Sequence, residues 1–593
     1  VEIQPFTTGI KPESSRLNQI YSWDTPAYYS NLTAVMQEAK KHGLIVDLNG
    51  GSGWPMSSSA LSPSESILSL MVVDTLINSN GTIQMDIPPL RIDSASLWRK
   101  GLKTHNDVPN HFYQLINVAA SKVIRKSEKI ILDPATLFNV PFDRKRKTIN
   151  WQVPSGGNWC LVFVYVGPGG EKPLYAATEK ISWVTDPLNT KSLDKTLNYL
   201  LGSRTALPQF YGSPLRAVFM DSKEFIVDRH VSSVFVSYFK KKRGYDISRY
   251  LFLNAIKGYD NAYSFGRDTI SKYLLTQDDW RIRYDYNKTI SELFTERQYK
   301  YVSDWLENKG MFHRAQAYGQ RGDIISASGM TSIPEAEQLS GNSSDGLVKL
   351  VTSGAHLNNK PIIAQESFVF ASKTYMTTPQ KIRVYANKSF AQGINQIVYH
   401  GTAYQYKTDE YGSEGWYPWA SPYKSFNYSS NINESNNFWK YMKQVNRFIA
   451  RSQYALRSGK PKTDVLIYFP FIDFEASQVV LNPHDKVVHG SFDRNEPHFY
   501  DPTKISVTKP TKIQQYYIDI WPIINKLEML GLTWDFVNDA FLQDAKSTDR
   551  HEINIRGNIF HTLIVPKIPY VPLSTAKKII FKEMPIYVEF SRK

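Results

Sequence analysis

Two glutamates stand just past short apolar runs. Glu224 closes Arg216-Ala217-Val218-Phe219-Met220-Asp221-Ser222-Lys223-Glu224, and Glu366 ends Pro361-Ile362-Ile363-Ala364-Gln365-Glu366. Short apolar runs of this kind read as strands buried on both faces. Carboxylates at the C-terminal ends of two different strands are what a β/α barrel offers for acid–base work on a glycosidic bond. One carboxyl must then carry a proton at neutral pH, and burial or the neighbouring Asp221 would raise the pKa of Glu224 in that sense. The plainer alternatives are an acid in the first turn of a helix for Glu224 and a buried ion-pair partner for Glu366.

A third acidic cluster is Ser332-Ile333-Pro334-Glu335-Ala336-Glu337. Two carboxylates two residues apart could hold a hard cation or sugar hydroxyls, or simply begin a helix. Gln316, Tyr318, His356, His400 and Gln405 lie near expected strand ends, where neutral polar groups grip hydroxyls. After His400 come Tyr404, Tyr406, Tyr411, Trp416, Tyr417 and Trp419, a concentration expected of a cleft wall, or else of an apolar flap. The chain has no Walker loop, dinucleotide fingerprint, nucleophile elbow or His-Glu-x-x-His zinc motif.

These residues need a scaffold. At 593 residues the chain is long enough for two to four domains. Residues 1–6, a helical pattern over 25–42, and a strand over 44–48 follow βαβ logic. Between 79 and 186 short alternating runs with turn residues predict an inserted β-sandwich. The α/β rhythm resumes at 187 and continues to 460, with strand-like runs at 217–220, 311–317, 324–333, 361–366 and 396–400. A further α/β unit, flavodoxin-like, occupies 461–593 and ends before its sheet is complete. Residues 1–78 and 187–460 together read as a TIM-type barrel.

Aromatic residues make up 13% of the chain, which suits a protein that stacks rings on sugars. The 70 basic and 55 acidic residues leave a net charge of +15. The basic runs at 144–147 and 240–243 read as solvated faces, because no nucleic-acid module accompanies them, and they favour anionic substrates or surfaces. The single cysteine, Cys160, excludes an intramolecular disulfide and a cysteine-built zinc site. No run is long and apolar enough to predict a membrane span, and no signal peptide is visible.

Several ordered motifs resemble glycoside hydrolase family 106, the α-L-rhamnosidases. Gly51-Ser52-Gly53-Trp54-Pro55 is similar to the family's distinctive loop, and Asp221-Ser222-Lys223-Glu224 to its Asp-Ser-x-Glu segment. Arg243-Gly244-Tyr245-Asp246, Arg314-Ala315-Gln316-Ala317-Tyr318-Gly319, Ile333-Pro334-Glu335-Ala336-Glu337, Ala355-His356, Glu366, Phe390 to Asn395 and His400-Gly401 also match. The resemblance implies a (β/α)8 barrel and inverting hydrolysis of terminal α-L-rhamnosides. It makes Glu224 the general acid and Glu366 the general base. It also implies Ca²⁺ near Glu335 or Glu337, and substrate contacts at Trp54, Asp221, Gln316, Tyr318, His356 and His400. The substrate would be an oligosaccharide or polysaccharide, and the location secreted or periplasmic. Counted against the family, residues 1–6 are the second barrel strand and a short run before Ile333 is the sixth. The first strand is then missing, as expected of a fragment. Ser332 stands where the family tends to have Asp, and Met56-Ser57-Ser58 replaces a glycine-rich continuation. These departures leave the metal site and the sugar identity open, so the glycone could be another deoxysugar or a uronic acid. A non-catalytic carbohydrate-binding protein is the alternative of another class, and the presence of both Glu224 and Glu366 argues against it.

Overall fold

The computed structural model describes the chain except for residues 6–21, 91–107, 109, 257, 259, 261–270, 277–278, 320–321, 339–344, 370–376, 401–431, 433–435, 472–511, 569–570, 582–585 and 589–593. The aromatic loop expected at 404–419 and Gln405 lie outside the described residues.

Seven parallel strands form the sheet that carries the site: β1 (Glu2–Ile3), β2 (Val46–Asn49), β3 (Leu215–Met220), β4 (Phe312–Gln316), β5 (Ile333–Glu337), β6 (Ala364–Ser367) and β7 (Gln396–Tyr399). They are hydrogen-bonded in that order. In a flat sheet β3 and β7 would stand roughly 19 Å apart, at about 4.8 Å per strand. Yet Arg216 on β3 donates through Nη1 to Gln396 Oε1 on β7 at 3.3 Å. Arg314 on β4 likewise reaches both Glu2 on β1 and Asp47 on β2. The sheet therefore curls, and side chains of its inner face meet across its concave side.

Side-chain alternation decides what faces that interior. On β4 Arg314 and Gln316 share a face, and on β5 Glu335 and Glu337 do. The register pairs Gln316 with Glu335 and Glu337 with Glu366. At the N-terminal end the interior is closed by an ion network. Arg314 Nη1 lies 2.6 Å from Asp47 Oδ2, and Arg216 Nε lies 2.9 Å from Asp47 Oδ1. The Arg314 guanidinium also covers the Phe219 ring at 4.2 Å.

Two expectations need correction here. Residues 324–330 form a helix rather than a strand (Ile324–Met330), capped by Asp323 Oδ1 accepting from Ser326 N–H at 3.0 Å. Its small residues suit close packing: a Cβ on Gly329 would come within 2.7 Å of the Phe541 ring. A short apolar run does not reveal its own period. The sixth-strand assignment also moves, since Ile333–Glu337 is itself the strand, so both of its glutamates sit inside a sheet rather than on a loop or helix start.

A second, mostly antiparallel sheet joins Leu68–Ile77, Gln114–Lys126 and Trp159–Pro168 as its long strands. The pair Gly81–Asp86 and Thr148–Val153 packs against it through Ile149, Trp151 and Val153, which bury with Val118, Trp159, Leu161 and Phe163. His230–Val231 and Tyr273–Leu275 also pair into this sheet, which ties it to the segment following Glu224. Near the C-terminus, Val465–Tyr468, Trp534–Val537, Thr562–Val565 and Ile586–Val588 form a four-stranded parallel sheet.

Candidate active site

The loop after β2 is knotted by its own side chains. Asn49 Nδ2 donates to the carbonyls of Gly51 and Gly53 at 3.2 and 3.0 Å. Gly53 has φ +67°, and a Cβ there would fall 1.8 Å from the Leu174 carbonyl oxygen, so only glycine fits. That close approach lets Leu174 N–H reach the Trp54 carbonyl at 2.7 Å. The Trp54 ring lies 5.3 Å from the Tyr175 ring, and its indole N–H donates to Glu224 Oε2 at 3.1 Å. The loop thus delivers a tryptophan to the first of the two glutamates.

Glu224 itself sits on a loop anchored to the end of β4. Lys223 N–H donates to the Tyr318 carbonyl at 2.8 Å. Gly319, at φ +83°, lies so close that a Cβ would be 2.8 Å from Lys223 N. Asp221 accepts from Gln4 Nε2 at 2.9 Å and from Ser222 N–H at 2.7 Å. Burial pushes the Asp221 carboxyl up to about 6, and repulsion from Glu224 and Glu2 adds to this against those hydrogen bonds. Lys223 is buried and pushed down to about 8, opposed by Asp221.

Glu366 ends β6. Gln316 Nε2 donates to Glu366 Oε2 at 2.8 Å, and His400 Nε2 lies 3.5 Å from Glu366 Oε1. Burial raises the Glu366 pKa well above the usual carboxylate range, and the charges of Glu337, Asp221 and Glu335 push the same way. His400 is pushed down to about 4 by burial, which favours its neutral ring. Tyr318 is buried and feels the charges of Glu337, Glu366, Glu335 and Asp221. Asp221 feels the charge of Glu224, and Glu366 feels that of Asp221. Lys223, next to Glu224, donates its N–H to the Tyr318 carbonyl just past β4, and Gln316 on β4 donates to Glu366, so both glutamates lie near the C-terminal end of that strand.

Glu335 and Glu337 part company. Glu335 is fully buried with Arg314 Nε 2.6 Å from its Oε2 and Gln316 Nε2 3.2 Å from its Oε1. Burial pushes it up to about 7 despite the arginine. Glu337 stands opposite Glu366 in the register. Among the described residues no group of three or more His, Cys, Asp or Glu has the spacing to hold a metal ion. Glu335 is engaged by Arg314, which leaves Glu337 as the other carboxylate expected near a cation.

His356, expected from the sequence to contact substrate, lies elsewhere. It belongs to the helix Asp345–Leu357 and its Nδ1 is 2.8 Å from Asp535 Oδ2. Lys349 Nζ and Thr463 Oγ1 meet the same carboxylate at 2.7 and 2.8 Å. These contacts tie the histidine to the C-terminal sheet. Conversely, the sequence by itself assigns no site role to Gln4, Tyr175 or Arg314, yet all three reach the site. Gln4 stands two residues after Glu2, just past β1, a signal that alternation could have supplied. Tyr175 arrives from a distant segment and carries no local signal.

The profile of an α-L-rhamnosidase family, glycoside hydrolase family 106, matches residues 114–486, more than half of the chain. A curated protein of Formosa agariphila named "Putative beta-glucuronidase" is 22% identical over 461 residues, covering 73% of this chain and 36% of its own length. The solved structure of a rhamnosidase from Novosphingobium sp. PP1Y superposes with a TM-score of 0.63 at 12% identity, covering 94% of this chain and 63% of that one. The chain thus spans about a third of the one relative and under two thirds of the other. At that identity the structural likeness establishes a shared fold. On the strength of the match over residues 114–486, the chain belongs to glycoside hydrolase family 106.

Proposed function

We propose that this chain carries the catalytic pocket of an exo-acting glycosidase that hydrolyses terminal α-L-rhamnosides with inversion, on a (β/α)8-type scaffold. The observation that supports it most is geometric: the Glu224 loop is tied to the Tyr318 carbonyl just past β4, and Gln316 on the same strand donates to Glu366. In this reading Glu224 gives its proton to the glycosidic oxygen as the C–O bond breaks. Glu366 takes a proton from the water that bonds to the anomeric carbon from the opposite face. Such a pair works across about 6.5–9.5 Å, enough for one water. Trp54 orients Glu224, Gln316 and His400 orient Glu366, and Tyr318 and Asp221 are placed to meet sugar hydroxyls. Because Glu366 must be ionised to act, its raised pKa sets the low-pH limit of the reaction.

The test is hydrolysis of an aryl α-L-rhamnoside, with the anomer of the first-formed sugar followed by NMR. Inverted product, with loss of turnover in both Glu224→Gln and Glu366→Gln, supports the assignment. A retained anomer, or full activity in either variant, defeats it. The named activity of the Formosa agariphila relative favours a second reading in which the glycone is a uronic acid, and an aryl glucuronide in the same assay separates the two. Wild-type protein that binds glycans but cleaves none would point to a carbohydrate-binding protein. Calcium dependence is a separate question, decided by turnover before and after EDTA. We place the substrate among oligosaccharides or polysaccharides and the protein in a secreted or periplasmic setting. No helix of the described residues is long and apolar enough to cross a membrane.

A further inference from the structure

A groove of about 510 Å³ shares no residue with the acid pocket. It is lined by Asn139, Tyr245, Asp246, Arg249, Tyr250 and Ile282. Asn139 comes from the second sheet, at Phe138–Asn139. The other residues come from the segment after the helix Phe235–Arg243 and from the helix Asp279–Leu293. Clefts where separate structural units meet, in the range of about 300–1,000 Å³, are where small polar ligands are commonly held.

The lining is built rather than loose. Tyr245 OH donates to Asp285 Oδ2 at 3.0 Å, and its ring meets the Phe239 ring edge-on at 5.0 Å. The Arg249 guanidinium lies 4.7 Å from the Tyr250 ring. Asn139 Oδ1 accepts from Asn117 Nδ2 at 3.1 Å, which leaves the Asn139 NH₂ as a donor without a partner among the described residues. Asp246 Oδ1 accepts from Ser248 N–H at 2.8 Å, and the nearby charges of Lys240 and Arg249 offset its own. Lys240 and Arg249 are exposed, and neither forms an ion pair within 4.0 Å among the described residues.

Two half-buried tyrosine rings, an amide donor and an arginine fork form a recognisable combination. Aromatic faces pack against the apolar faces of pyranose rings, and a guanidinium grips a carboxylate through two parallel hydrogen bonds. We infer that this groove is an accessory binding site for a carboxylated sugar unit of a glycan, separate from the pocket of Glu224 and Glu366. The inference extends the glycan-directed reading above, but binding here requires no turnover, so the two fail separately.

The experiment uses the full chain carrying Glu224→Gln and Glu366→Gln, titrated calorimetrically with tetragalacturonate and, as the neutral arm, maltotetraose at low ionic strength. The expected result is tetragalacturonate binding that weakens by about tenfold or more in Arg249→Ala and in Tyr250→Ala. Arg249→Lys restores it only partly, because the fork is lost while the charge is kept. Maltotetraose affinity does not respond to Arg249→Ala. Absence of tetragalacturonate binding, or equal affinity in the parent, Arg249→Ala and Tyr250→Ala proteins, overturns the inference. Circular dichroism of each variant identifies one that has failed to fold. Loss of hydrolysis by the wild-type chain would defeat the catalytic assignment and leave this titration readable.

Discussion

One amide joins two carboxyls: Gln316 Nε2 donates to Glu366 Oε2 at 2.8 Å and lies 3.2 Å from Glu335 Oε1. Arg314 holds the far side of Glu335 at 2.6 Å. A chain of contacts therefore runs from the ion network at the closed end of the curled sheet to the carboxyl proposed as base. The orientation of Glu366 depends on strands β4 and β5 as much as on its own.

Removing that amide tests the dependence. Gln316→Leu keeps the bulk but takes away the donor, and a hydrogen bond to a charged group contributes roughly 1.5–3 kcal/mol. The expected result is a fall in kcat/KM of about 10- to 100-fold, carried mainly by kcat, on whichever glycoside the wild type cleaves. Gln316→Leu with unchanged kcat would show that Glu366 is positioned without it.

Glu366 also makes a pH prediction. Its pKa is raised by burial and by Glu337, Asp221 and Glu335, so a base at this position stays protonated to higher pH than an ordinary glutamate, near about 4.3. The acid limb of the kcat/KM profile should therefore lie above the usual carboxylate range. Glu337→Gln, which removes the neighbouring charge that raises Glu366 most, should move that limb to lower pH. A limb near about 4, insensitive to Glu337→Gln, would argue against Glu366 as the base.

Glu171 is a buried carboxyl with a pKa pushed up to about 8 by burial, eased by the Ile226 N–H two residues beyond Glu224. The folded state holds this proton where the unfolded chain, near 4.5, releases it. Its contribution to stability is thus complete below about 4.5 and is lost as pH rises toward 8. Denaturant titrations should show wild type losing stability, on the order of a few kcal/mol, between about pH 5 and pH 8. Glu171→Gln, which is permanently neutral, should lose distinctly less over that interval. Parallel curves for the two proteins would contradict the assignment of a neutral Glu171.

The strut at His356 predicts a stability effect without a substrate effect. Asp535 is buried among Lys349, His356 and Thr463. Burial works to raise its pKa, but Lys349 and His356 outweigh it and hold the carboxyl well below the usual range. Deleting one partner of a buried ion pair costs about 3–5 kcal/mol, because the other charge is stranded. Asp535→Ala should therefore lower stability by that order. His356→Ala should cost less and leave KM unchanged. A large rise in KM for His356→Ala, with the Tm held, would return that histidine to the substrate.

Much of the architecture was legible because it is local. Period-two alternation and apolar runs marked β3, β4, β6 and β7 to within a few residues, and Asp221, Glu224 and Glu366 stand where those runs end. Residues 324–330 misled because a run of small and apolar residues fits a strand and a buried helix equally. The partner of His356, Asp535, is 179 residues away, and no spacing in the chain announces that pairing.

The order of residues alone determined that acids would emerge at strand ends and that glycine would occupy position 53, since backbone sterics and side-chain periodicity act over a few residues. Only the curled three-dimensional arrangement decided which acids are pushed toward their neutral form. Glu335 faces Arg314, Glu366 faces Glu337 and Asp221, and Glu171 sinks beneath the Glu224 loop. Those fates depend on desolvation and on charges brought together from distant segments, and neither exists until the sheet has curled.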